Sequence, residues 1–153
     1  SKRSGMTGYR SGFVAGDADI MERLRALRTN PGLVPSDFVN AAAVVAWADD
    51  EHPAERRAIF RQKKKLFLDF FDSLGMEVIG REASLYLWVQ IPGGNDEAYA
   101  QRLLEAGIVV SPGRIFGVEG AGSGYIRIAM VPTLDECKKA ISVWKNLEEN
   151  WKR

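Results

Sequence analysis

The sequence predicts a mixed α/β fold in two parts: the end of a larger α/β sheet domain, then a small two-layer α+β domain. From about residue 55 onward, helix and strand signals alternate, which is typical of a two-layer α+β unit. Residues 1–50 carry one strand signal and two helix signals, too few to bury a core. We therefore expect residues 1–50 to complete a larger domain, 51–75 to form a connecting helix and 76–153 to form the small domain.

Capping and stop residues predict where the first three helices begin and end. Side chains that accept hydrogen bonds from free helix N–H groups precede the first two helices, at Asp17 and Ser36. The turn sequence at 29–32 follows the first helix, and Gly75 ends the third. The helices are expected over 18–27, 37–49 and 52–74. A short apolar strand at 12–16, bracketed by glycines, precedes them.

The small domain is expected to hold one sheet and two further helices. Strand signals lie at 77–79, 85–90, 108–110 and 125–130, and a helix over 96–106 separates the second from the third. Thr133 and Glu136 match a capping box, so the last helix should begin there and end near Trp151. The glycine-rich segment 117–124 lacks the strand–loop–helix setting of a phosphate loop and is expected to be a mobile loop.

Composition and charge exclude several classes of function. The 153 residues are 46% apolar and carry 21 basic against 20 acidic side chains, so nucleic acid and anionic membrane surfaces are not expected partners. No apolar run approaches the roughly 20 residues that span a bilayer. Cys137 is the only cysteine and His52 the only histidine, which argues against a disulfide, a His-rich metal site and a Ser–His triad. A cytoplasmic location fits best.

The first twelve residues carry the most informative chemistry. Lys2 precedes a loop of small residues, and Arg10 follows before Gly12. A lysine that acts as a Schiff-base nucleophile needs a rigid turn in a partly desolvated pocket, and a phosphate suits the forked donors of arginine. On residue types alone, a basic surface loop in front of a strand is the favoured explanation of the segment.

The pattern Ser1-Lys2 … Gly8-Tyr9-Arg10-Ser11-Gly12 resembles the cofactor-lysine signature of class I/II aminotransferases, which are fold-type I enzymes that use pyridoxal 5'-phosphate. The resemblance implies that Lys2 is the catalytic lysine, linked covalently to the cofactor, and that it moves a proton between substrate and cofactor. It also implies that Ser1 and Arg10 hold the cofactor phosphate. The fold implied is the C-terminal portion of the PLP-dependent transferase fold.

A second match lies near the end of the chain. Residues 108–117 resemble a turn motif of the family, valine-x-Pro-Gly-x-x-Phe-Gly. Residues 124–129 resemble the strand that follows this motif in the family. The resemblance implies that Arg127 in this strand binds the substrate carboxylate, with Ile126 and Ile128 on the opposite face. From the residues alone, Arg127 could equally be a surface arginine on an edge strand.

The resemblance covers nearly the whole chain and implies a function for a longer parent protein. That protein would move an amino group between an amino acid, with glutamate as the expected donor, and a keto acid. The sequence of residues 1–17 looks most like that of succinyldiaminopimelate aminotransferases. This resemblance implies a role in lysine and diaminopimelate biosynthesis. A homodimer is implied for the full-length protein. The family's contacts to the cofactor ring precede the lysine, so the 153-residue chain is expected to be inactive alone.

Three alternatives stay open. Two are related class I/II activities, a carbon–sulfur lyase and a decarboxylase, because Arg127 suits any α-amino acid. The third is a non-catalytic binding domain derived from the family.

Overall fold

A computed structural model of the chain describes residues 2–29, 34–82 and 85–151. The chain divides into two compact units, Ser1–Arg57 and Ala58–Arg153, called the first and the second unit below. Helices occur in both units and the second contains a four-stranded sheet, so the predicted mixed α/β class is confirmed. The expected domain limits at residues 50 and 75 stay predictions. None of the helices in the described ranges is long and apolar enough to cross a membrane.

The first unit contains two helices, a single-turn 3-10 helix and the beginning of a third, longer helix. The elements are the 3-10 helix Thr7–Tyr9, α1 (Ala18–Leu27) and α2 (Asp37–Ala48). Asp17 caps α1 as predicted, because its carboxylate accepts hydrogen bonds from the N–H groups of Asp19 at 3.0 Å and Ile20 at 3.3 Å. Helix α2 begins after Ser36 as predicted, but the Ser36 side chain makes no capping hydrogen bond.

The strand expected at 12–16 is wrong. These residues have no regular structure, and Phe13 and Val14 are exposed. A strand needs a neighbour to take up its backbone hydrogen bonds, and the described part of the first unit contains no second strand. The break expected at 29–32 lies, apart from Thr29, outside the described residues.

Helix α3 (Glu51–Leu74) is the long helix that the sequence predicts. The Asp49 carboxylate accepts the N–H of Glu51 at 2.8 Å, so Asp49 caps the start of α3. Gly75 ends the helix with φ of +70°, a conformation that glycine adopts without strain.

The second unit is a two-layer structure of one antiparallel sheet and the helices that cover one face. The strands are β1 (Val78–Ile79), β2 (Tyr86–Gln90), β3 (Ser111–Pro112) and β4 (Tyr125–Ala129), in the order β1-β2-β4-β3. The helices are α3 from Ala58 onward, α4 (Asp96–Glu105) and α5 (Leu134–Trp151). Residues Leu87, Val89, Ile126 and Ile128 point into a core that Phe71, Leu103 and Trp144 fill from the helices. The opposite face carries Tyr86, Trp88, Tyr125 and Arg127.

The third strand begins later than predicted. Residues 108–110 are not in a strand, and β3 starts at Ser111. The reason lies at the end of α4, where Gly107 has φ of +81° and the N–H of Ile108 returns to the carbonyl of Leu103 at 2.8 Å. This helix-closing motif keeps Ile108 tied to α4, so the chain reaches the sheet only afterwards.

The capping box at the start of α5 is confirmed. The N–H of Thr133 donates to the Glu136 carboxylate at 2.7 Å, and the N–H of Glu136 donates to the Thr133 hydroxyl at 3.3 Å. This reciprocal pair satisfies two backbone donors that the helix leaves open. The Thr133 hydroxyl also donates to the Glu136 carboxylate at 2.7 Å, and this bond, together with that from the Thr133 backbone, lowers the pKa of Glu136.

Candidate functional site

Lys2 lies in a tight turn in the first unit. The N–H of Gly5 donates to the carbonyl of Lys2 at 3.3 Å, and Gly5 has φ of +68°. The Lys2 side chain is exposed, and its ammonium has no hydrogen-bond partner among the described residues. Ser1, the other predicted residue of this turn, lies outside the described residues.

Arg3 fastens this turn to α2. Its guanidinium donates to the carbonyls of Ala46 at 2.6 Å and Asp49 at 2.9 Å and pairs with the Asp50 carboxylate at 2.5 Å. The same group lies 4.8 Å from the centre of the Trp47 ring. The sequence analysis assigned Arg3 no role, because all four residues that it contacts lie more than 40 positions away in the chain. No local sequence pattern indicates contacts of that range.

Arg10 follows the 3-10 helix in a left-handed conformation, with φ of +52°. Its side chain is exposed, and one guanidinium nitrogen donates to the carbonyl of Thr7 at 3.2 Å. The remaining donors of this fork have no hydrogen-bond partner among the described residues. Arg10 is therefore a cation available to a phosphate, which is the role predicted for it.

A small cleft lies between the Lys2 turn and α2. Its lining includes Arg3, Ser4, Tyr9, Val39 and Trp47, and its volume of about 20 Å³ holds roughly one water molecule. Lys2 and Arg10 do not line it. The partly desolvated pocket that we expected around Lys2 is thus not formed by the described residues of the first unit.

Arg127 lies on the open face of the sheet in the second unit. It stands in β4 between Trp88 of β2 and Ser111 of β3. Its guanidinium carbon lies 4.0 Å from the centre of the Phe116 ring and 4.5 Å from that of Tyr86. Ile126 and Ile128 are buried on the core face, so the predicted alternation along this strand is confirmed.

Among the described residues, Arg127 has aromatic neighbours but no anionic one. Its Nε atom is buried and has no hydrogen-bond partner, and no carboxylate pairs with its guanidinium within the described ranges. An unmatched buried donor costs about 1–3 kcal/mol, so a ligand that accepts its hydrogen bonds would bind favourably here. A planar carboxylate matches this fork in shape and charge.

The turn that carries Phe116 is held by a buried ion pair. Asp96, at the start of α4, is fully buried and accepts from the Nε, Nη2 and backbone N–H of Arg114 at 3.0, 2.8 and 2.9 Å. Burial alone would raise the pKa of Asp96, but the hydrogen bonds from Arg114 lower it to about 2. Sequence reasoning treated Asp96 only as a helix start and assigned Arg114 no role.

The glycine-rich segment at 117–124 makes close backbone contacts at two glycines, and its expected mobility stays a prediction. A side chain at Gly117 would place its Cβ 1.7 Å from the carbonyl oxygen of Ala121, and one at Gly113 would lie 2.2 Å from that of Gly122. The segment therefore lies backbone against backbone on the turn 113–116, an approach that only glycine permits.

The remaining chemical candidates are structural. Cys137 is buried, and burial raises the pKa of its thiol. His52 pairs with Asp49 at 2.9 Å at the start of α3. In the part of the chain that the structure describes, no group of three or more histidine, cysteine, aspartate or glutamate side chains could hold a metal ion.

Residues 1–143 match the family described as aminotransferase class I and II. The chain belongs to this family. The resemblance in the Lys2 and Arg127 segments is thereby confirmed at the level of the family, and so is the fold implied by it. Class I/II aminotransferases depend on pyridoxal phosphate, which is the cofactor that the resemblance implied.

Named relatives agree with this membership. A probable aminotransferase of Mycobacterium tuberculosis is 36% identical over 141 residues, which is 92% of this chain and 33% of the relative. An LL-diaminopimelate aminotransferase of Aquifex aeolicus is 32% identical over 97% of this chain and 38% of its own length. The solved probable N-succinyldiaminopimelate aminotransferase of Thermus thermophilus superposes with a TM-score of 0.81 at 27% identity, over 93% of this chain and 38% of that one.

The chain spans about a third of the length of the curated relatives it matches. Each unit, taken by itself, has residues that suit one part of the family's chemistry. In the first unit, an exposed lysine on a fixed turn and an arginine with open donors suit the aldehyde and the phosphate of pyridoxal phosphate. In the second unit, Arg127 suits a substrate carboxylate. The roles of Ser1, Lys2, Arg10 and Arg127 stay predictions.

Proposed function

We propose that this chain is the C-terminal part of a pyridoxal-phosphate-dependent aminotransferase. The full-length protein would move an amino group between an amino acid, with glutamate as donor, and a keto acid. Family membership supports the reaction class. The observation that carries the substrate class is Arg127, whose guanidinium lies between two aromatic rings and lacks an anionic partner within the described residues.

Each predicted residue would perform one task. When bound, the cofactor supplies an electron sink for the bonds at the substrate's α-carbon. The Lys2 amine would hold the cofactor and, once released, move the proton at the α-carbon. Arg10, together with Ser1, would bind the phosphate, and Arg127 would bind the substrate carboxylate through two parallel hydrogen bonds.

We propose a diacid of the diaminopimelate type as the substrate. The support is that relatives matching nearly the whole chain are named LL-diaminopimelate and N-succinyldiaminopimelate aminotransferases. Arg127 itself suits any α-amino acid, so a carbon–sulfur lyase or a decarboxylase would use it in the same way. A cytoplasmic homodimer that binds neither nucleic acid nor membrane is part of the proposal, supported by the near-neutral charge and the single cysteine.

We further propose that the 153-residue chain alone is inactive. Large apolar side chains of the first unit lie open to solvent, including Leu27 at 75% exposed and Phe38 at 73%. Exposed apolar surface of this kind is usually buried against other parts of a protein. The relatives contain further sequence about twice as long as this chain, which could bury it. Transaminase activity in the purified chain, free of any longer species, would contradict this.

Reduction with borohydride after addition of pyridoxal phosphate, followed by peptide mass mapping, tests the role of Lys2. In the full-length protein we expect label on Lys2 and little on Lys64 or Lys65, whereas the exposed Lys2 of the chain alone should label no more than Lys65 does. Lys65 is the matched control, because it is a surface lysine whose partner Asp69 lies on its own helix. Even labelling in the full-length protein would contradict the proposal and favour a non-catalytic binding domain.

A kinetic experiment tests the role of Arg127. Arg127→Gln removes both charged hydrogen bonds to the substrate carboxylate, so we expect kcat/KM to fall by roughly 10- to 100-fold. Arg81→Gln is the control, because Arg81 forms a similar two-bond fork with Asp72 on an exposed surface. Equal activity of the two variants would rule out Arg127 as the carboxylate ligand.

A further inference from the structure

Arg114 makes an unusual set of contacts for a residue in a four-residue turn. Three of its N–H groups converge on one carboxylate, Asp96, which is fully buried. A fourth, on Nη1, donates to Glu97 at 2.7 Å. Arg114 therefore fixes the 3-10 turn Gly113–Phe116 to the start of α4 through both its backbone and its side chain.

The 3-10 turn Gly113–Phe116 places the Phe116 ring against Arg127. Phe116 follows Arg114 by two residues, and its ring centre lies 4.0 Å from the Arg127 guanidinium carbon. Phe116 is 45% exposed and touches Trp88 edge-on at 5.7 Å between ring centres, so the side chain itself is only lightly packed. Its position must depend mainly on where the turn is held.

The opposite side of the turn is fixed as well. Gly113 meets the backbone of Gly122 so closely that a Cβ would lie 2.2 Å from its carbonyl oxygen. The turn is thus held by an ion pair on one side and by a backbone contact on the other. Of these two restraints, only the ion pair is made by side chains and can be removed by a conservative substitution.

We propose that Arg114, through its ion pair with Asp96, is a positioning residue that sets the Phe116 ring against Arg127 and so shapes the carboxylate site. The significance for activity depends on the proposed role of Arg127. The placement of Phe116 does not depend on that role, so the two ideas can fail separately.

NMR of the 17.0 kDa chain tests the placement directly. The Arg127 guanidinium lies over the Phe116 and Tyr86 rings, so we expect upfield shifts for the resonances of its side-chain protons. Phe116→Leu measures how much of that shift the Phe116 ring contributes. We expect Arg114→Gln to lose most of the same contribution and Arg114→Lys, which keeps the charge but not the fork, to lose part of it.

Two further variants control for general damage to the fold. Arg81→Gln removes the exposed fork to Asp72 and should leave the Arg127 shifts unchanged. Asp96→Asn keeps one acceptor oxygen and the side-chain shape, replaces Arg114→Gln as the test if Arg114→Gln does not fold, and should also lose most of the Phe116 contribution. Unchanged Arg127 resonances in Arg114→Gln, or in Asp96→Asn where Arg114→Gln is unfolded, would overturn the inference.

Titration with acetate then connects placement to binding. We expect acetate to move the Arg127 Nε–H resonance in the unmodified chain, and the dissociation constant to rise roughly tenfold in Arg114→Gln. If acetate leaves Arg127 unaffected in the unmodified chain, the proposed carboxylate role fails while the ring-current comparison still decides the role of Arg114. If acetate binds equally well to Arg114→Gln and to the unmodified chain, Arg114 does not shape the site.

Discussion

The two units of the chain differ in how much of their own apolar surface they bury. The second unit encloses a contiguous core in which Phe71, Leu103 and Ile126 have no exposed surface. In the described part of the first unit, Val39 and Pro53 are the only buried residues. The face around Arg127 is therefore supported by its own core, whereas the turn around Lys2 is held mainly by the polar contacts of Arg3 with α2 and the residues that follow it.

The largest expected effect comes from a matched pair of phenylalanines. Phe71→Ala removes a fully buried ring that contacts Phe67, Phe70 and Trp144, so the free energy of unfolding should fall by about 3–5 kcal/mol. Phe38→Ala removes a ring that is 73% exposed and should change it by less than about 0.5 kcal/mol. Urea unfolding followed by circular dichroism measures both, and a large loss in Phe38→Ala would mean that the first unit has a core after all.

A smaller effect should come from the protonation of Asp96. The folded-state pKa is about 2, below the usual 3.8, so the ionised carboxylate stabilises the folded chain at any pH above about 4. That contribution, about 2 kcal/mol, should be lost as the pH falls from 4 towards 2. Urea unfolding at several pH values should show a steeper loss of stability between pH 4 and 2 in the unmodified chain than in Asp96→Asn, in which the other carboxylates still titrate. If both chains lose stability in parallel, Asp96 does not carry the effect.

The smallest expected change in stability comes from the residues that precede two helices, Thr133 before α5 and Ser36 before α2. Thr133→Ala removes a hydroxyl that accepts the N–H of Glu136, and should cost about 1 kcal/mol. Ser36→Ala removes a side chain that makes no capping hydrogen bond, and should cost close to nothing. Thermal unfolding of the two variants distinguishes them, and a larger loss from Ser36→Ala would show that α2 is capped in solution.

Local signals predicted most of the fold. Helix starts and ends follow from residues within one turn, such as Asp17 and Gly75, and the strand face of Arg127 follows from alternation with its neighbours. The strand expected at 12–16 failed because the sequence pattern reports apolar character but not the presence of a pairing partner. The third strand was misplaced because the helix-closing hydrogen bond of Ile108 competes with the sheet for the same backbone.

The candidate site was predictable where a motif carried it and not elsewhere. Lys2, Arg10 and Arg127 stand in short recognisable segments. Arg3 and Arg114 act through partners 17 to 47 residues away in the chain, and Asp96 looks like any acidic residue in the first turn of a helix. Contacts at that range depend on the packing of the folded chain, which no local pattern contains.

The left-handed backbone of Arg10 predicts different results for Arg10→Gly in two kinds of mutational screen, one that measures protein abundance and one that measures cofactor retention. An arginine with φ of +52° is strained by roughly 1 kcal/mol, and glycine would relieve that strain at a similar entropic cost. Arg10→Gly should therefore accumulate normally, and a screen that reads protein abundance would class it as neutral. A screen that reads cofactor retention should class the same variant, under the proposed function, as a loss.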